Sequence, residues 1–517
     1  MKMKKDCNVL IVGLGLSASF AAARLHELGV TDIVMCGAGL GASPDDKAIN
    51  FVTPDNPYGD TPDLFAEDFL NIGCHIQCED LIYKTTAYTN DCYELLLRWG
   101  INDFARDSKG ALLRRQTCGS RFPRTLYCEE EYLGSRILRK IHPTLEKKGV
   151  SLIRNCFCVR LLYSEGKVIG ATVQHKENGQ LQDIYAPVTI AAWGGVGLIF
   201  GEDPDMPQGL PPARDIKGNT LGMAWKLGAK VVDAEFLEFE PTVIAYPPEA
   251  MPGAIITSIL SDGAKITNSK GERFLFSVRP EGEVGVPKSV LNRENMRQVR
   301  AGNGGPHGGV FVDLSDIDIS VLNSYNNYYD HLLARGCDLK KVKLEIVPQQ
   351  HSHSGGLLVD KHYQTTLPGL YAIGEAMGGF QGADRAGGSG AAQAILSGYA
   401  CAESVSQVSF ETVHFPEIAE KPALDTAIRN RYLPTAQSIG RKAMSVIRTG
   451  SELLQAEKKL EELYGFPEIA KDVICQDTVL SMLLMIKGAL ARKESRGVHV
   501  REDFPEEDPS FAKGIIL

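Results

Sequence analysis

The chain has 517 residues, too many for one simple core, so two or three domains are expected. Hydrophobic residues make up 44% and charged residues 23%, a globular composition, and the formal net charge of -9 argues against a general nucleic-acid or anionic-membrane surface. Apolar runs are broken by glycine before they reach spanning length, and only Met1 to Asp6 precede the first predicted strand. A cytoplasmic protein with no membrane insertion is therefore predicted.

The apolar run Val9-Leu10-Ile11-Val12 predicts a buried parallel strand, and the Gly13-Leu14-Gly15-Leu16-Ser17-Ala18 that follows reads as a phosphate-binding turn opening a helix. Gly13 allows the tight turn, Gly15 lets a pyrophosphate approach the backbone, and Ala18 is small enough for close helix packing. The helix runs through Leu28 to a second strand, Asp32 to Cys36, completing a βαβ unit. Its end should carry an acid for ribose hydroxyls, but Cys36 and Gly37 stand there, so the dinucleotide rests more on backbone contacts than usual. Cys36 reads as a buried small hydrophobe. Twelve cysteines are scattered, and the close pairs Cys156/Cys158 and Cys74/Cys78 lack CxxC spacing, so reduced structural thiols and no metal site are expected.

Leu133 to Lys148 reads as helix, Ser151 to Tyr185 as a hairpin-like run, and Val188 to Ala192 as a buried strand whose Gly194-Gly195 turn marks a second close approach to the ligand. From Thr242 to Val347 the pattern turns irregular and rich in Gly, Pro and charge, which predicts an inserted domain. Strand character returns at His351 to Asp360 and Leu370 to Gly374, leading through Gly374-Glu375, a glycine-lined turn and the lone Arg385 into an Ala-rich helix from Ser389 to Ser404. A backbone of this kind wraps closely around a flat, polar cofactor. After a Glu- and Pro-bearing linker, Phe410 to Leu424, helical periodicity runs from Asp425 to Arg492.

Asp233-Ala234-Glu235-Phe236-Leu237-Glu238-Phe239-Glu240-Pro241-Thr242 resembles a DxEFxQFHPT motif, Gly271-Glu272-Arg273-Phe274 a GERF motif, and Gly304 to Leu314 a GxHGGVxxDL motif. Arg492 to Pro505 is close to RxESRGxHxREDYP. With these motifs in order along nearly the whole chain, the sequence resembles the flavoproteins of the succinate dehydrogenase, fumarate reductase and L-aspartate oxidase family. The resemblance implies an α/β fold: a Rossmann-like doubly wound FAD-binding domain in two parts, 1–241 and 348–409, an inserted α+β capping domain, 242–347, and a C-terminal helical domain, 410–517. FAD is the implied cofactor, with Gly13, Gly15 and Ala18 serving the pyrophosphate, Ser43, Gly194 and Gly195 lining the site, Glu375 at the ribityl or ribose hydroxyls, and Ser389 with its helix N-terminus at the flavin pyrimidine. Pro44 stands where some members attach FAD through a histidine, so attachment should be non-covalent.

His351 matches the substrate histidine of the family's PxxHYxxGG, Arg385 its carboxylate-clamping arginine, and Lys288 falls where a proton-donating arginine is expected. The remaining dicarboxylate machinery has changed: Glu240 replaces a histidine, and Thr257 is followed by Ser258 where a relay glutamate is expected. Burial is expected to lower the Lys288 pKa toward a useful range, and Glu240 is expected either to face the substrate or to pair with Lys288. His353, two residues beyond His351, would share its face on a regular strand; His307 is a further candidate in a cap turn. His499, Arg496 and Arg501 should lock the helical domain to the FAD domain.

These expectations describe an FAD-dependent oxidoreductase passing a hydride between flavin N5 and a small organic substrate with an anionic group, not succinate or fumarate. Arg385, His351 and Lys288 are the catalytic candidates, with Glu240, Thr257 and His353 binding substrate. Rival readings are an aspartate-oxidase-like amine oxidase and an electron-transfer flavoprotein paired with an iron–sulfur protein; a homo-oligomer is compatible with each.

Overall fold

The computed structural model describes residues 2–4, 6–117, 119–129, 132–197, 199–201, 216–325, 327–410 and 414–517. Val9–Val12, Ile33–Gly37, Ser151–Arg154, Val188–Ala191 and Leu370–Ala372 form one parallel sheet, ordered in space fifth, fourth, first, second, third. The order reverses beside the first strand, and in a doubly wound sheet the crevice at that switch point, outside the carboxyl ends of the strands, receives the ligand. Val9–Val12 and Val188–Ala191 are buried along their whole length, which explains their unbroken apolar sequences. Helix Leu16–Glu27 packs on helix Ser389–Val405 so closely that a Cβ on Gly398 would lie 2.4 Å from the Ser17 carbonyl oxygen.

An antiparallel sheet of Cys156–Ser164, Lys167–His175 and Leu181–Tyr185 accompanies the parallel one. The hairpin expected from Ser151 onward begins only at Cys156. Ser151–Arg154 is the edge strand of the parallel sheet, and Asn155, at φ 57°, turns the chain out of it.

Strands Leu237–Tyr246 and Leu344–His353 leave the doubly wound region together as an antiparallel pair and continue into a second sheet, ordered Leu237–Tyr246, Leu344–His353, Val310–Asp313, Lys265–Thr267. This cap has its own apolar core, with Ile244, Ile259, Ile266, Leu291, Val312, Leu322 and Ile346 all buried. Helix Lys288–Arg300 is fastened to the first of the paired strands, Asn292 donating to the Phe239 carbonyl at 2.7 Å.

Helices Thr426–Ala443, Gly450–Tyr464 and Val473–Ala491 pack together near the C-terminus. Val473–Ala491 is long and apolar enough to cross a membrane by length and composition, but most of it is buried inside the protein. The terminal signature is a fastening, though not through every residue expected: Arg492 Nε donates to Glu235 at 2.6 Å, Arg448, bonded to His499 at 2.9 Å, donates to the Glu235 carbonyl at 2.7 Å, and Val498 N–H reaches the Ala383 carbonyl at 2.8 Å, whereas Arg496 and Arg501 bond within the C-terminal segment, to Glu494 and Asp503.

Candidate active site

A cavity of about 1000 Å3 runs from the switch point of the sheet to the underside of the cap. Gly13, Gly15, Gly37, Gly194, Gly388 and Glu375 line its floor; Glu240, Lys288, His351 and Arg385 line the end beneath the cap. Gly13 has φ 146°, and a Cβ there would lie 2.1 Å from the Ala192 carbonyl oxygen, so the ends of the first and fourth strands meet only because this residue is glycine. The Leu16 N–H, at the start of the first helix, donates to Ser43 Oγ at 3.0 Å, and a Cβ on Gly15 would crowd that same hydroxyl at 2.7 Å. Ala18 is fully buried under the turn, where it serves helix packing.

Glu375 accepts from the Gly195 N–H at 3.2 Å and the His353 N–H at 2.9 Å. Burial raises its pKa. Gly195 is therefore a seat for Glu375, whose Oε1 would stand 2.6 Å from an added Cβ, and Gly194 is the glycine that reaches the cavity. Ser389 is likewise corrected: it is buried, with Asn50 Nδ2 at 3.4 Å from its hydroxyl, and Gly388, Gly390 and Ala391 at that helix N-terminus face the cavity in its place.

This chain of glycines and two helix N-termini, leading to one long cavity, fits a dinucleotide carrying a flat ring. Among the described residues no group of three or more His, Cys, Asp or Glu is arranged to hold a metal.

Under the cap, two carboxylates and two cations alternate. Arg385 grips Glu238 with both arms of its fork, Nε to Oε2 at 2.8 Å and Nη2 to Oε1 at 2.7 Å. Lys288 Nζ lies 2.7 Å from Glu240 Oε2 and 3.4 Å from Glu238 Oε1. Burial alone would raise the Glu238 pKa, but Arg385 and Lys288 outweigh it and hold the carboxyl at about 2. Glu240 is lowered in the same way, against burial, chiefly by Lys288.

Two expectations are corrected here. The Lys288 pKa is raised: burial works against the charge, but Glu240 and Glu238 more than offset it. The guanidinium expected to clamp a substrate carboxylate already holds Glu238 along its Nε–Nη2 edge, and Glu238 occupies a glutamine position of the motif and so drew no notice in the sequence. Its alternation with Glu240 along one strand was the available signal, since residues two apart share a face.

His351 is open to the cavity and makes no hydrogen bond among the described residues, yet lies deep enough that burial, then the Lys288 charge, push its pKa down to about 4. The strand pairing slips here, Phe239 facing Gln350 and Glu238 facing Ser352, so His351 is the extra residue of a bulge. Beyond that bulge, His353 is buried with Nε2 2.9 Å from the Ala234 carbonyl, where it braces the strand crossing, and it too lines the cavity. Thr257 lines the cavity from the cap, while His307 is engaged elsewhere, stacked on Tyr246 and bonded to Glu345 at 2.7 Å.

Two further groups join cap to floor. Ser289 donates a short hydrogen bond to Asp384, whose pKa burial raises to about 6. Arg115 lies between the rings of Tyr127 and Tyr325, 3.9 and 4.8 Å from their centroids, and donates to the Ser324 carbonyl at 2.8 Å.

Comparison with known proteins agrees with this geometry. The family model described as FAD binding domain matches residues 8–391, and the one described as Fumarate reductase flavoprotein C-term matches 467–515. One subunit of the fumarate reductase (CoM/CoB) from Methanothermobacter marburgensis is 27% identical over 99% of this chain and 97% of its own, and L-aspartate oxidase from Saccharolobus solfataricus is 27% identical over 98% and 99%. In fold, the chain superposes on quinol fumarate reductase from E. coli with a TM-score of 0.81 at 21% identity, covering 99% of this chain and 94% of that one. The chain binds FAD, and it belongs to the flavoprotein family of succinate dehydrogenase, fumarate reductase and L-aspartate oxidase.

Proposed function

We propose that this FAD-dependent oxidoreductase moves two electrons between its flavin and a small organic substrate held beneath the cap, and that the substrate is not succinate, fumarate or another dicarboxylate. The observation that carries the reading is the two-armed Glu238–Arg385 pair, beside the Lys288–Glu240 pair: each cation already faces a carboxylate of the protein itself. A substrate carboxylate taking the Nε–Nη2 edge of Arg385 would have to displace a buried, doubly bonded one, and removing one partner of such a pair costs about 3–5 kcal/mol.

Bound FAD supplies hydride chemistry at N5. The chain supplies orientation and a proton. His351, neutral and with no hydrogen-bond partner among the described residues, offers a ring nitrogen to a polar atom of the substrate. Lys288 stays cationic, so it stabilises negative charge developing on the substrate and can release a proton from Nζ to it; Glu240 Oε2, 2.7 Å away, is the next proton carrier. Thr242 Oγ1 holds the other Glu240 oxygen at 2.9 Å and keeps it aimed. Arg385 and Glu238 hold one another in place behind this pair.

The M. marburgensis relative is by name one subunit of a larger enzyme, which supports an electron-transfer partner, such as an iron–sulfur protein, as the route for electrons. A screen of small acids, amines and enoates for bleaching or reoxidation of the flavin under argon finds the substrate. Lys288→Met should then leave flavin reduction by an artificial donor intact and cut turnover by about 100-fold or more, the usual worth of a positioned acid. Undiminished turnover removes Lys288 from the mechanism, and tight binding of succinate overturns the substrate reading.

A further inference from the structure

The cavity does not stop at the charged groups. It continues under the cap along Pro252, Ala254, Ile256 and Tyr328, with the buried Ile244 and Leu332 behind them. This wall is fixed by backbone bonding: the Ile244 N–H donates to the Gly253 carbonyl at 2.9 Å, the Ile255 N–H to the Thr242 carbonyl at 2.9 Å, and Val243 bridges Ala254. The segment thus lies extended along Leu237–Tyr246, joined to it by a single antiparallel β-bridge. Ile255 is sunk in the cap core, while Ala254 and Ile256 on either side of it remain half-buried at the cavity, the alternation a strand produces.

Resting on the reading of this cavity as the substrate site, we propose that it takes a substrate with an uncharged polar head and a hydrocarbon arm, the head beside His351 and the arm in the alcove of Pro252, Ala254, Ile256 and Tyr328. Glu238, Arg385, Lys288 and Glu240 are paired with one another, so a neutral head beside His351 enters without stranding any of these four. The arm removes apolar surface from water on both partners.

The test uses the flavin-loaded protein and the neutral trans-2-alkenamides of four to eight carbons, titrated by perturbation of the flavin absorbance. Each added methylene should tighten binding about fourfold, the equivalent of about 0.8 kcal/mol per buried CH2. Ala254→Phe should flatten this dependence and leave the four-carbon amide bound as before; if that variant fails to load flavin, Ile256→Ser should weaken the eight-carbon amide several-fold more than the four-carbon one. Affinity independent of chain length, no perturbation by any amide, or tighter binding of succinate or L-aspartate than of the eight-carbon amide overturns the proposal. Flavin that stays bound and reducible by dithionite in that event leaves the oxidoreductase reading standing; protein that never loads flavin would defeat both.

Discussion

Glu238→Gln tests the central claim that this protein has closed its own carboxylate clamp. The Glu238 carboxyl falls from an ordinary 4.5 to about 2 in the fold, and at 1.36 kcal/mol per pKa unit that differential amounts to about 3 kcal/mol at neutral pH. This agrees with the 3–5 kcal/mol typical of breaking a buried pair from one side. The sign follows from the lowered pKa: as pH falls, the unfolded chain takes up the proton first, so the contribution is complete above about 4.5 and lost on approaching 2. The variant should therefore unfold at lower urea concentration by about 3 kcal/mol at pH 7, with the gap to wild type closing below pH 4.5. It should also acquire what the wild type lacks. With Arg385 released, malonate at a hundred times its dissociation constant should restore about 2.7 kcal/mol and perturb the flavin spectrum, while wild type shows neither effect. A variant as stable as wild type, or malonate binding equally to both, would refute the argument.

Three other outcomes follow from the site. Acid precipitation of the holoprotein should release all its flavin into the supernatant, because Pro44 offers no attachment; flavin remaining in the pellet would contradict this. Because the His351 pKa is depressed to about 4, the imidazole stays neutral through the physiological range, and a kcat/KM profile should show no protonation of this group between pH 6 and 7; its loss, and that of any stabilisation it gives, belongs to the window from 6.5 down to 4. Arg115→Ala should loosen the cap by about 1–2 kcal/mol, two ring contacts and one hydrogen bond, read as roughly tenfold faster proteolysis within the cap at unchanged global stability; an unchanged rate would show that the arginine holds nothing.

The parts of this protein readable in advance were those with a local signature. The apolar run before Gly13, the Gly374-Glu375 turn and the terminal Arg-rich signature each declare their structure within a few residues. Lys288 and His351 could be placed at the site because motifs flank them. Pairings across the fold could not be read this way: Glu238 and Arg385 are 147 residues apart, and no local pattern says that one closes upon the other. The bulge at His351, invisible in composition, breaks the regular alternation that would set His351 and His353 side by side. Ser151–Arg154 carries the same alternation in a hairpin or at a sheet edge, and only the left-handed Asn155 decides between them. The direction of the Lys288 shift escapes any argument from burial alone, because its two acidic neighbours are set by strand pairing and helix placement.

Lys288 and Ser289 ride on the cap helix, whereas Arg385 and Asp384 belong to the floor, and Glu238 and Glu240 lie on the strand that joins the two. Lifting the cap would strip Glu240 of its cation and Asp384 of its hydroxyl at one stroke. On the proposed assignment of Lys288 as proton source, proton and electron sources would come together only with the cap seated on the floor, so the two reactive partners would be assembled by closure itself.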